Sequence, residues 1–293
     1  MLESFVNFKE INERPWMVFV WGFIISTVAV LISAQLWFHV NVSNVEVNLT
    51  GLFAVIFTII PSVFFVTIMI KREEALEEEY IKKHYHESRF FERHVKDFII
   101  FLYFFAGVTL AFAFWFMILT GSTFIVQVSK INQMRGMTGA VTGIDPSFIS
   151  ILSNNLNVMF FSFMFSFILG AGAVFIIVWN ASILGVAIGK DAASILHIPA
   201  ISSLYVLHGV PEIAGYIAAA LAGGLISAAV IRRHGSRVLS KVIYDAMLIV
   251  IFAVFSVVCG AFIEASGGMF FWTALCLWWG VFVYMLIRFF IKP

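Results

Sequence analysis

The sequence predicts an all-α polytopic membrane protein, with about six transmembrane helices plus a re-entrant helical hairpin. Three observations carry this expectation. Hydrophobic residues make up 61% of the chain and charged residues 12%, against about a quarter charged in a soluble domain. Several apolar runs exceed the ~18–20 residues that a bilayer crossing needs, and they lack the alternation of barrel strands. Two basic segments, 71–97 and 232–241, are both expected on the cytoplasmic side. Residues 1–293 read as a single membrane domain with a charged helical extension at 71–97 and the hairpin at 192–231.

Residues 1–15 are a charged surface leader, and no cleavable signal peptide is expected. The first span runs from about Trp16 to Trp37, with a tryptophan near each interface. Residues 38–48 hold no Lys or Arg, and the sequons that start at Asn41 and Asn48 suit an outside loop. The second span covers about Leu49–Ile70, with Pro61 as an expected kink. Residues 71–97 then hold seven basic and eight acidic residues without Gly or Pro, so both flanking spans should continue into it as helix. The third span is about Phe98–Leu119. Residues 120–155 form a polar outside segment. A fourth span should begin near Leu156 and reach the cytoplasm at Gly189, Lys190 and Asp191.

The hairpin follows from charge. Residues 232–241 hold four basic residues and no acid. With cytoplasm on both flanks, the apolar run from Ala192 to Ile231 should enter the membrane and return. Its turn is expected at His208–Pro211. Two full spans are the alternative, and residues 192–208 are barely long enough for one of them. Spans at about Val242–Ile263 and Met269–Phe290 complete the chain. Both termini are then cytoplasmic in a multi-pass cell-membrane protein.

The candidate functional motif is His208, Gly209, Pro211 and Glu212. Gly209 is expected to permit the reversal, Pro211 to start the returning helix, and Glu212 to sit in that helix's first turn. Two readings of His208 and Glu212 stand side by side. They either line a polar cavity and exchange protons or bind a cation or head group, or they bond each other and close the turn. Asn180, Gly185, Gly189 and Tyr216 are possible supporting residues. Small residues recur at Ala181, Gly185, Gly189 and Ala193, and again at Gly215, Ala219, Gly223 and Ser227. Spacing of four puts each set on one helical face, suited to close packing inside the protein or to a partner interface such as a homodimer.

A net charge of +1 gives no electrostatic case for nucleic acid, so the lipid bilayer and other membrane proteins are the expected partners. Cys259 and Cys276 fall in apolar runs and read as core residues. No motif calls for a cofactor. No nucleophile–base set or metal quartet assembles, so an enzyme is not expected, and any metal is left unknown.

At "LHGVPEIAGYIAAALAGG" the chain resembles the stage II sporulation protein M family, whose hallmark is Pro-His-Gly-x-x-Glu ahead of a small-residue helix. His208, Gly209 and Glu212 match it, and Leu207 stands where the family often has proline. Asn180, Gly185 and Gly189 match the preceding pattern with looser spacing. The resemblance covers about Leu156–Ile231. It implies a membrane scaffold or assembly component, with a transporter, channel or lipid-handling protein as the alternative. The sporulation role does not transfer, because the family also occurs in organisms that form no spores.

Overall fold

A computed structural model describes residues 14–36, 38–42, 45–82, 90–119, 121–137, 146–170, 172–192, 194–231, 236–265 and 269–291. The chain opens with helix α1 (Trp16–Leu36), and a hairpin of β1 (His39–Val42) and β2 (Val45–Asn48) follows. The long helices α2 (Thr50–Lys82) and α3 (Phe90–Ile118) come next, then the shorter α4 (Ile125–Met137). After these come α5 (Pro146–Leu169), α6 (Ala173–Asp191), α7 (Ile198–Ile231), α8 (Ser236–Ala265) and α9 (Met269–Ile291). Among the described residues, seven helices are long and apolar enough to cross a membrane, and α9 adds a shorter apolar stretch, Phe271–Met285. The protein is an all-α polytopic membrane protein, as its composition requires. The extension at 71–97 is helical where described: α2 continues from its apolar part, Thr50–Ile68, to Lys82, and α3 starts at Phe90.

The chain divides into two compact units. The first comprises Met1–Ser62, Ile99–Gly136 and Ile177–Leu204. Here α1 and α3 approach backbone to backbone, because a Cβ on Gly22 would lie 2.9 Å from the Phe104 carbonyl oxygen. The ladder on α6 packs on α3: a Cβ on Gly189 would lie 2.7 Å from the Ala113 carbonyl oxygen, and one on Gly185 would clash with that of Thr109. Asn48 Oδ1 accepts the Thr50 N–H at 2.8 Å and so caps α2. The buried Gln127 of α4 donates from Nε2 to the Gly51 carbonyl at 2.9 Å.

The second unit comprises Val63–Phe98, Met137–Ile176 and Tyr205–Pro293. Its core joins α7 and α8 through Ala218, Ala222, Leu225, Ala246, Ile249 and Ala253, with Met159 and Phe163 of α5 against them. The ladder on α7 serves two neighbours. Gly215 abuts α8, where its Cβ would lie 2.5 Å from Val257 Cγ2, and Gly223 abuts the backbone of α5 at Phe163 and Phe167. The glycines of both ladders therefore pack inside their own units. Ala193 lies outside the described residues.

Two expectations are corrected here. The first concerns the fourth span, which is two helices. α5 starts ten residues earlier, at Pro146, and ends where Gly170 takes φ 66°, a left-handed backbone that suits glycine; α6 begins at Ala173. The end of α6 was also expected on the face opposite to residues 120–155. Lys190 Nζ instead donates to Asn132 Oδ1 of α4 at 2.9 Å, so the two share one end.

The second correction concerns the re-entrant hairpin at 192–231. Residues Ile198–Ile231 form one helix of 34 residues with Pro211 inside it, and no turn occurs at His208–Pro211. Proline removes the N–H that would bond the carbonyl four residues back, here Leu207. Trp279 of α9 makes good part of that loss, donating its indole Nε1–H to the Leu207 carbonyl at 3.4 Å. A helix of this length spans about 51 Å, more than the ~30 Å hydrocarbon core.

Gly209 therefore does not serve a reversal, and a Cβ added there meets nothing within 4 Å. Gly209→Ala is expected to be neutral or to stabilise by about 0.5–1 kcal/mol, the cost of glycine inside a helix. Thermal melting of the purified protein checks this. A clear drop in melting temperature would contradict the continuous helix.

Candidate functional site

On a continuous α7, His208, Glu212 and Tyr216 are spaced by four and lie on one face. That face meets polar groups of α5 and α8 within the second unit. The Tyr216 hydroxyl donates to Asn155 Oδ1 at 2.8 Å, and Asn154 Nδ2 donates to the same oxygen at 3.2 Å. Tyr216 and Asn155 are both buried.

Glu212 points at α8. Gly260 makes room for it: a Cβ there would lie 2.5 Å from Glu212 Cγ and 3.3 Å from the His208 carbonyl oxygen. One helical turn beyond Gly260 stands Glu264, exposed in the last turn of α8. Its carboxyl is an electrostatic neighbour of Glu212, His208 and Tyr216. The Asn155 carboxamide is the other polar neighbour of Glu212. Glu212 is half-buried as a residue, but its Oε1 is fully shielded; among the described residues neither that oxygen nor Nδ2 of the buried Asn155 has a hydrogen-bond partner. The Tyr205 and His208 rings lie 6.0 Å apart at 52°.

The motif residues divide by role. His208, Glu212 and Tyr216 belong to this cluster. Gly209 and Pro211 lie within the helix beside it and make no turn. Asn180, Gly185 and Gly189 belong to the first unit, where the two glycines pack on α3. Asn154, Asn155 and Glu264 are not among the residues that the sequence assigns to the motif. Their signal was polarity at the border of an apolar run, which does not say which helix they will face. Asp245 is buried. Cys259 and Cys276 are free thiols. Among the described residues, no group of three His, Cys, Asp or Glu side chains is arranged to hold a metal ion.

The arrangement can hold and pass protons. It sets two carboxyls and an imidazole beside a phenol–carboxamide pair, with donor and acceptor capacity left open. Neither a curated protein nor a solved structure matches the chain. A family model described as stage II sporulation protein M matches residues 99–267, more than half of the chain and the whole of this cluster. On that match, the chain belongs to the stage II sporulation protein M family.

Proposed function

We propose that the protein is a membrane transport protein in which His208, Glu212 and Glu264 take up and release a proton or a small cation. The observation that carries this reading is the meeting of ionisable groups from two apolar helices, α7 and α8, with carboxamides from a third, α5. Such groups are expensive inside a membrane and are rare there unless they serve function. A purely structural lock would use its hydrogen-bonding capacity up. Among the described residues, Glu212 Oε1 and Asn155 Nδ2, two neighbouring groups, make no hydrogen bond.

The scaffold reading draws on family membership and on the helical extension of α2. It draws less on the small-residue ladders, whose described glycines are occupied by helices of their own unit. For orientation in a cell membrane, crossings by α1–α3 and α5–α9 return both termini to one side. Basic residues at 71–97 and 232–241 support the cytoplasm as that side. Lys190, Asn132 and Glu264 then belong to the outer half.

Proton movement tests the proposal. Proteoliposomes with a trapped pH-sensitive dye, driven by a potassium gradient and valinomycin, should acidify faster than protein-free vesicles. Glu212→Gln is expected to bring the rate down to that of empty vesicles while the protein still elutes as a single species. An excess rate that survives this isosteric change would reject the reading.

A further inference from the structure

We propose that Asn155 is the specificity-determining residue of this site: held by its oxygen, it presents an N–H, so the site takes a water-borne proton and excludes a bare sodium ion. This deepens the transport reading by naming its substrate, and rests on that reading. The geometry lies within the second unit. Asn155 Oδ1 accepts from the Tyr216 hydroxyl at 2.8 Å and from Asn154 Nδ2 at 3.2 Å. A carbonyl oxygen has two lone pairs, and these two donors take both. The carboxamide keeps its Nδ2 open: that atom is fully shielded and, among the described residues, has no hydrogen-bond partner. Asn155 itself is 4% exposed, so the donor is committed to the interior. Tyr216 stands one turn of α7 beyond Glu212, so its bond brings Asn155 to the face that carries Glu212.

The open groups decide the ligand. A hard cation is held by oxygen lone pairs, and asparagine serves it through its carbonyl oxygen. Here that oxygen is spent, and the open N–H turns the positive end of its dipole outward. Glu212 adds a shielded acceptor, Oε1, without a partner among the described residues. A donor and an acceptor on one face suit a species that both gives and takes hydrogen bonds, as water does. A bare cation meets the acceptor but is repelled by the donor. In the exchange step a hydronium ion gives one proton to a Glu212 carboxylate oxygen and becomes water, whose oxygen accepts from Asn155 Nδ2. On release the proton returns to water, and the charge of Glu212 changes by one each way. The other titratable groups of this site are His208 and Tyr216 on α7 and Glu264 on α8, while α5 brings the carboxamides.

Binding of radioactive sodium to the full chain in nanodiscs tests this without any flux. Wild type should show no saturable binding. Asn155→Asp puts an oxygen and a charge in place of the open N–H, so it should bind sodium saturably. Acidification of wild-type vesicles should run at the same rate in sodium as in choline medium. Saturable sodium binding by wild type that Glu212→Gln removes would overturn the proposal, because the carboxamide would then present its oxygen. An Asn155→Asp protein that elutes as a single species yet binds no sodium would overturn it too, as would wild-type acidification that sodium slows. If Asn155→Asp does not fold, Tyr216→Phe decides in its place. That change takes one donor from Oδ1, so sodium binding should appear, and its absence counts against the proposal. The two readings fail separately. The expected sodium binding without proton uptake sinks the transport reading and leaves the role of Asn155 standing. Proton uptake together with sodium binding by wild type does the opposite.

Discussion

Gly107→Leu is expected to destabilise the protein by more than about 3 kcal/mol and to remove most of the monodisperse material. Gly107 lies on α3 against α1. A Cβ there would overlap the Phe19 carbonyl oxygen and come within 3.0 Å of the Phe19 carbonyl carbon and the Phe23 nitrogen. All three atoms are backbone, so no side chain can rotate aside to admit the larger residue. The reciprocal contact of Gly22 with Phe104 lies on the same crossing, which leaves the helices no easy slide. The control is Gly280→Leu on α9, where an added Cβ meets nothing within 4 Å. That variant should melt within about 1 kcal/mol of wild type, the range of intrinsic helix propensity. Thermal melting with size-exclusion readout compares the two. Equal melting temperatures would show that α1 and α3 do not approach at Gly107.

The contrast between those glycines shows what a sequence carries and what it leaves out. Hydropathy marked the spans, because each apolar run must satisfy its own backbone inside lipid. The unbroken run of helix formers after Ile70 announced the extension to Lys82. Gly170 escaped notice because the apolar character runs straight across it, and a helix end made by one left-handed glycine leaves no mark in hydropathy. Pro211 was misread for a different reason. The local rule assigns an intrahelical proline to a first turn or a break, and only a donor from a distant helix makes the interior position tolerable. Here that donor is Trp279, far along the chain from Leu207. The site divides in the same way. His208, Glu212 and Tyr216 were each named from the sequence, but a turn was expected between His208 and Glu212, so the face they share on a continuous α7 was not legible. Asn155 and Glu264 reach them only through tertiary packing, which one sequence does not encode in any visible period.

Trp278→Ala is expected to cost about 3–5 kcal/mol, the range for removing a buried aromatic. Trp278 is fully buried and stacks on Phe282 with centroids 4.9 Å apart at 17°. It also donates its indole Nε1–H to Ser256 Oγ of α8 at 2.9 Å. The alanine variant therefore opens a cavity and cuts the one polar tie between α9 and α8 that this side chain makes. The two parts can be separated. Trp278→Phe keeps an aromatic ring beside Phe282 but leaves the Ser256 hydroxyl short of a donor. Ser256→Ala leaves the indole N–H orphaned. Each single change should cost about 1–3 kcal/mol, because it strands a buried polar group. The double change strands neither, so it should cost less than the sum of the two. Denaturant or thermal melts of the four proteins measure the coupling. A sum that simply adds would mean that the hydrogen bond contributes nothing and that packing alone holds α9 to α8. The result bears on the site as well. Gly260 and Glu264 follow Ser256 at successive turns of α8, so a helix loosened at Ser256 is loosened along the face that presents Glu264 to Glu212.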